Sequence, residues 1–139
     1  MRAYSIRRLC WVGPLATLVA ILVDSLYFFV TTAFGEGYLI PLTASGSQRA
    51  PLPTTTIVMA VLVAGLVATV FFGLLVRFAR KPATIFLSVA ITALVVSFGG
   101  PFGLPAVEMQ TKLLLCGMHI IAAATITGEI LFLSRSKKS

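Results

Sequence analysis

The chain has 139 residues, of which 58% are hydrophobic and 11% charged. A water-soluble domain of this size cannot hide so much apolar surface, because ordinary globular chains are about 45–50% apolar and about 25% charged. The net charge of +7 would otherwise point to nucleic acid, but the basic residues cluster between apolar runs instead of covering one face of a domain, which excludes that partner.

Lipid must therefore be the solvent for much of the chain. A spanning helix takes about 20 apolar residues at about 1.5 Å each, and four such runs fit. The sequence predicts an all-α, integral membrane four-helix bundle as a single domain over residues 1–139. Its spans are expected near 9–32, 55–76, 83–98 and 111–133, running up-down-up-down. Residues 33–54 and 99–110 would be outer loops and residues 77–82 a cytoplasmic turn.

The first span opens like a secretory signal, with basic residues ahead of an apolar run. That run, Leu9 to Ala33, is longer than the usual h-region of 7–15 residues, so an uncleaved helix is expected. Pro14 falls in its first turns, where a missing N–H costs least. Gly35, Glu36 and Gly37 end it. The following stretch holds Pro41, Pro51, Pro53 and Gly46 and reads as a loop, with Tyr38 to Leu42 apolar enough to lie at the interface.

In the second span Ala60, Ala64 and Ala68 recur every four residues. Gly65, Thr69 and Gly73 repeat that spacing one register on. Small residues so spaced let helices approach closely in lipid. The expected use is packing within the chain, with a homo-oligomer interface as the other use. Arg77 to Pro82 makes a tight turn, so the second and third spans form an antiparallel hairpin. The third span carries Thr84, Ser88 and Thr92 as a mildly polar stripe, and the Gly99-Gly100-Pro101 run is expected to stop it abruptly. The fourth span ends in a basic tail. No fixed-period repeat or low-complexity segment occurs.

Orientation follows from charge. Arg2, Arg7 and Arg8 precede the first span, Arg77, Arg80 and Lys81 join the second to the third, and Arg135, Lys137 and Lys138 follow the fourth. Of the eleven basic residues only Arg49 and Lys112 fall on the other side. This positive-inside pattern predicts both termini in the cytoplasm of a bacterium, with the chain in its inner membrane. The two cysteines, Cys10 and Cys116, would lie about 20 Å apart in membrane depth at 1.5 Å per residue, too far for a disulfide. Neither belongs to a metal-ligand motif.

Three ionisable residues fall inside spans: Asp24, His119 and Glu129. Charges there are expensive, so each is a candidate for function. Counted from Arg8 and from Lys112, Asp24 and His119 reach similar depth toward the outer face, and a hydrogen bond between them is expected to be within reach. It would act as a bundle lock or as a proton or substrate site. Glu129 lies nearer the inner face, where Arg8, Arg77 or Arg80 could reach it by snorkelling. His119, Ala122 and Glu129 fall on one arc of the last helix, which suggests a polar stripe facing Asp24 at its outer end. Glu36 and Glu108 fall in outer loops, where solvation is expected. No metal site, cofactor or catalytic motif is recognisable, and one histidine leaves little material for acid–base chemistry.

The segment from Lys112 to Ala124, with Met118-His119 ahead of an alanine run, resembles the last helix of a bacterial family of small four-helix membrane proteins of unknown function. Ser97-Phe-Gly-Gly-Pro101 and the overall length are also similar. The chain departs from that pattern at Asp24, where an amide is expected. The resemblance implies the fold and no activity. Together these features favour a non-enzymatic accessory or scaffold protein, or a subunit of a membrane complex, whose partners are the bilayer and other membrane subunits or a second copy. A small proton-coupled transporter using Asp24 and His119 is the alternative, and a membrane cofactor binder or enzyme built on His119 the third reading.

Overall fold

The structure is a computed structural model and describes residues 4–35, 37–42 and 48–135. Glu36, Gly46 and the basic residues Arg2, Lys137 and Lys138 lie outside the described residues. The chain forms helix α1 (Ile6–Phe34), strands β1 (Leu39–Pro41) and β2 (Arg49–Pro51), and helices α2 (Thr54–Phe78), α3 (Pro82–Ser97), α4 (Gly99–Gly103) and α5 (Met109–Leu133). Four helical segments are long and apolar enough to cross a membrane: Ile6–Phe34, Thr54–Phe78, Pro82–Gly103 and Met109–Leu133. Their outer surfaces carry Trp11, Phe34, Phe78 and Phe132, each more than 70% exposed. Rings so placed would be costly in water and are at home in lipid.

Two connections differ from the expected plain loops. Residues after α1 form an antiparallel hairpin with Leu39 opposite Pro51, Ile40 opposite Ala50 and Pro41 opposite Arg49. Its prolines are tolerated because both strands of a two-stranded ribbon are edges, where an N–H can be missing. Beyond α3, the Gly99-Gly100-Pro101 run does not end the helix abruptly. Phe98 stays in the right-handed helical region at φ −63° and ψ −22°, and a further helical turn, α4, follows. Pro101 lies in the first turn of that short helix, where its missing N–H has no partner to lose.

Packing is uneven. α1 contacts both α2 and α5, while α3 packs on α2 and α5. The α1–α2 contact is a ladder of three rungs: Leu9 against Gly73, Thr69 against Gly13, and Thr17 against Gly65. Each rung steps four residues along both helices in opposite senses, so the two run antiparallel. A β-carbon at Gly13 or Gly65 would collide with the threonine facing it. Each threonine hydroxyl donates to a carbonyl of its own helix, Thr17 to Gly13 at 2.9 Å and Thr69 to Gly65 at 2.7 Å. No hydroxyl is left unsatisfied as the helices close, which matters where water is absent.

The two ends of the described residues meet. Tyr4 bridges Arg135, Ser5 N–H donates to the Ser134 carbonyl at 3.2 Å, and an Arg8 Nη donates to the Arg135 carbonyl at 2.7 Å. Above them Tyr4 packs edge-on to Phe72, with ring centroids 5.2 Å apart, and Phe72 lies 4.9 Å from Phe86. Phe86 is the one buried residue of α3. It pins α3 near its start. At the other end α4 rests on α5, and the Lys112 ammonium donates to the Phe102 carbonyl at 3.3 Å.

Candidate functional site

Between those two attachments α3 stands off from α2 and α5. The gap is a cavity of about 440 Å³ bounded by α1, α2, α3 and α5. Alanines make its walls: Ala60, Ala64 and Ala68 on α2, Ala90 and Ala93 on α3, Ala122 and Ala123 on α5. Small side chains at facing positions cannot fill the space between helices held apart at their ends. The two small-residue stripes of the second span therefore do different things. Gly65, Thr69 and Gly73 pack on α1, while the alanine stripe lines the cavity, with Ala60 and Ala64 exposed.

Asp24 and His119 line this one cavity, along with Ser97, Thr56 and Thr127. Asp24 lies on a buried stripe of α1 that runs through Ala16 and Ala20 and on to Phe28 at helical spacing. Both alanines are fully buried, and Asp24 is 2% exposed. Its Oδ1 has no hydrogen-bond partner. The expected bond from His119 is not formed. The histidine Nδ1 lies 3.1 Å from the Leu115 carbonyl one turn back on α5. A carbonyl can only accept, so Nδ1 carries the proton and donates, which leaves Nε2 as the free ring nitrogen. The local competitor wins because a carbonyl four residues earlier is always at hand on a helix. Ser97 likewise donates backward, to the Leu94 carbonyl at 2.7 Å.

Glu129 is not part of this cavity. It lies in a separate groove of about 460 Å³ between α1 and α5, lined by Leu15, Val19, Thr125 and Gly128 among others. Its Oε2 is buried without a partner, so the expected salt bridge with Arg8, Arg77 or Arg80 is not made at that atom. Arg8 is instead bound to the Arg135 carbonyl. The continuous polar stripe expected on the last helix is thus divided between two sites. The stripe of Thr84, Ser88 and Thr92 on α3 faces outward, and Thr92 returns its hydroxyl proton to the Ser88 carbonyl at 2.9 Å.

The hairpin reaches the Asp24 cavity through one residue. Leu52, just past β2, lines it, and its N–H donates to the Tyr38 carbonyl at 2.8 Å. Tyr38 is 2% exposed and stacks on Phe28, with centroids 5.0 Å apart. Its phenol shares a short hydrogen bond with the Thr31 hydroxyl. Burial pushes that phenol above the ordinary tyrosine value, against the opposing effect of the Thr31 bond. Nothing in the sequence pattern singled out Tyr38 as the buried residue that anchors the hairpin. The signal present was an aromatic residue set between glycines and prolines in a stretch too apolar for an ordinary loop.

Cys10 is exposed, Cys116 is buried, and both are free thiols. Among the described residues no three His, Cys, Asp or Glu side chains gather as a metal site would require.

Four helices long and apolar enough to cross a membrane, with an apolar cavity between them, fit a multi-pass membrane protein. Residues 4–138 match the family of unknown function DUF6069. The chain belongs to that family, as the resemblance in its last helix implied. Comparison with curated proteins and with solved structures finds no match.

Proposed function

We propose that this is a non-enzymatic protein of the bacterial inner membrane, with both termini cytoplasmic, that binds a small molecule in the cavity between α1, α2, α3 and α5. It would act as a small carrier or membrane binding protein and not as a passive scaffold. The orientation is supported by the excess of Lys and Arg at the end where Tyr4 and Arg135 meet.

One observation carries the functional reading: Asp24 lines an apolar cavity, and its Oδ1 is buried with no partner in the protein. A carboxylate kept to lock helices together would be hydrogen-bonded, because an unpaired buried polar group costs about 1–3 kcal/mol or more when charged. An acid held unpaired at that cost is kept for something else. The proton-coupled reading draws on the same residue, with His119 as the second titratable group on the cavity.

Stability separates the two roles. If Asp24 serves a ligand, Asp24→Asn and Asp24→Leu melt at or above the wild-type temperature in detergent, since each removes an unsatisfied charge. If both variants lose about 2 kcal/mol or more, Asp24 is a structural lock and the binding reading is wrong.

A further inference from the structure

We propose that the Asp24 cavity takes a small lipophilic cation, such as a hydrophobic amine or a quaternary ammonium compound. Its charged head would lie against the Asp24 carboxylate and its apolar body along the alanine walls. This inference rests on the binding role proposed above and adds the chemical class of the ligand.

The charge balance of the site is the first argument. Among the described residues, Asp24 is the one acid on the cavity, and neither Lys nor Arg lines it. A buried carboxylate needs a counter-charge from the protein, a proton or a ligand. The protein supplies none at Oδ1. An anionic ligand would add a second negative charge beside an unpaired one, and a neutral apolar ligand would leave Oδ1 as it is. A cation alone among these satisfies it.

His119 agrees with that choice. Its Nδ1–H is committed to the Leu115 carbonyl, so Nε2 is the ring nitrogen left to the cavity. An acceptor on the same cavity as a carboxylate suits an ammonium N–H, whereas a quaternary head relies on the Asp24 charge alone. The walls agree as well. Apart from Asp24, His119 and three hydroxyl side chains, the lining is Ala, Leu, Val, Ile and Met. A volume of about 440 Å³ falls inside the range of about 300–1,000 Å³ usual for small-molecule sites. Access is from the side, because Ala60 and Ala64 of α2 and Ala93 of α3 border the cavity and remain exposed. In a bilayer that opening faces acyl chains, where a lipophilic amine already concentrates.

The test uses benzyltrimethylammonium and its uncharged isostere neopentylbenzene, which differ by a nitrogen for a carbon. Binding to the full chain in nanodiscs is measured by equilibrium dialysis against empty nanodiscs of the same lipid. The wild type should hold the cation at least about tenfold more tightly than the isostere, and Asp24→Asn should lose that preference by a similar factor. Ala93→Leu, which fills the cavity and keeps the acid, should weaken both compounds. Size-exclusion profiles confirm that each variant is folded. Equal binding of the two compounds to the wild type, abolished by Ala93→Leu, would overturn the cation assignment and leave a binding cavity. If neither compound binds above the empty-disc level, or Ala93→Leu changes nothing, the cavity is not a binding site and both readings fail.

Discussion

The Tyr27 hydroxyl of α1 occupies the space that a side chain would take at Gly117 of α5, where a β-carbon would lie 2.5 Å from the phenolic oxygen. This contact holds α5 close to α1 two residues ahead of His119. Gly117→Ala should destabilise the chain by about 1–3 kcal/mol through overpacking. Tyr27→Phe in the same background should restore much of the loss by removing the oxygen that the methyl meets. A double-mutant cycle on detergent melting temperatures checks this, and a Gly117→Ala variant as stable as the wild type would contradict it.

A second contact constrains α1 against α2. Gly65→Ala places a methyl onto the Thr17 side chain, with its Cβ, Oγ1 and Cγ2 all in the way. The backbones must separate or Thr17 must leave its rotamer, and a loss of about 1–3 kcal/mol is expected. Thr17→Ala should recover part of it. Gly99→Ala, which meets no neighbouring atom, is the matched control and should change stability little.

Alkaline pH acts on the hairpin. Tyr38 has its phenol raised above 10.0, chiefly by burial. Its folded value therefore exceeds its unfolded value. The neutral phenol contributes stability in full below about pH 10, and that contribution fades as pH climbs through the folded value. Melting temperatures measured from pH 9 upward should fall less steeply in Tyr38→Phe than in the wild type. Parallel slopes would mean that the phenol does not hold the hairpin down.

Orientation has a direct readout. A green fluorescent reporter fused after Ser139 should fluoresce, and a phosphatase reporter at the same place should be inactive, as both termini in the cytoplasm require. Active phosphatase would reverse the proposed topology.

The spans were legible because long apolar runs flanked by basic clusters have few other physical readings. The hairpin was hidden by Pro41 and Pro51, residues that argue against strands in general but not against a two-stranded ribbon. α4 was hidden in the same way by two glycines and a proline. Spacing also could not tell the Gly65–Thr69–Gly73 stripe from the Ala60–Ala64–Ala68 stripe. What separates them lies on another helix: Thr17 and Gly13 complement the first, while the second lines the cavity. Depth counting brought Asp24 and His119 to one cavity. It could not foresee that His119 would bond to Leu115, because that choice depends on ring orientation and not on position along the axis.

The α1–α2 ladder also works as a vernier. Slide α2 by one turn in one direction and Thr17 meets Thr69, two branched side chains where there is room for one. Slide it by one turn in the other and Gly13 meets Gly65, two bare backbones with a void between them. Only the observed alignment pairs a branched residue with a bare one at both threonine rungs. In a lipid solvent, where apolar surface gives no preference for one alignment over another, this alternation lets two greasy helices find a single setting, and with it the depth at which Asp24 is presented.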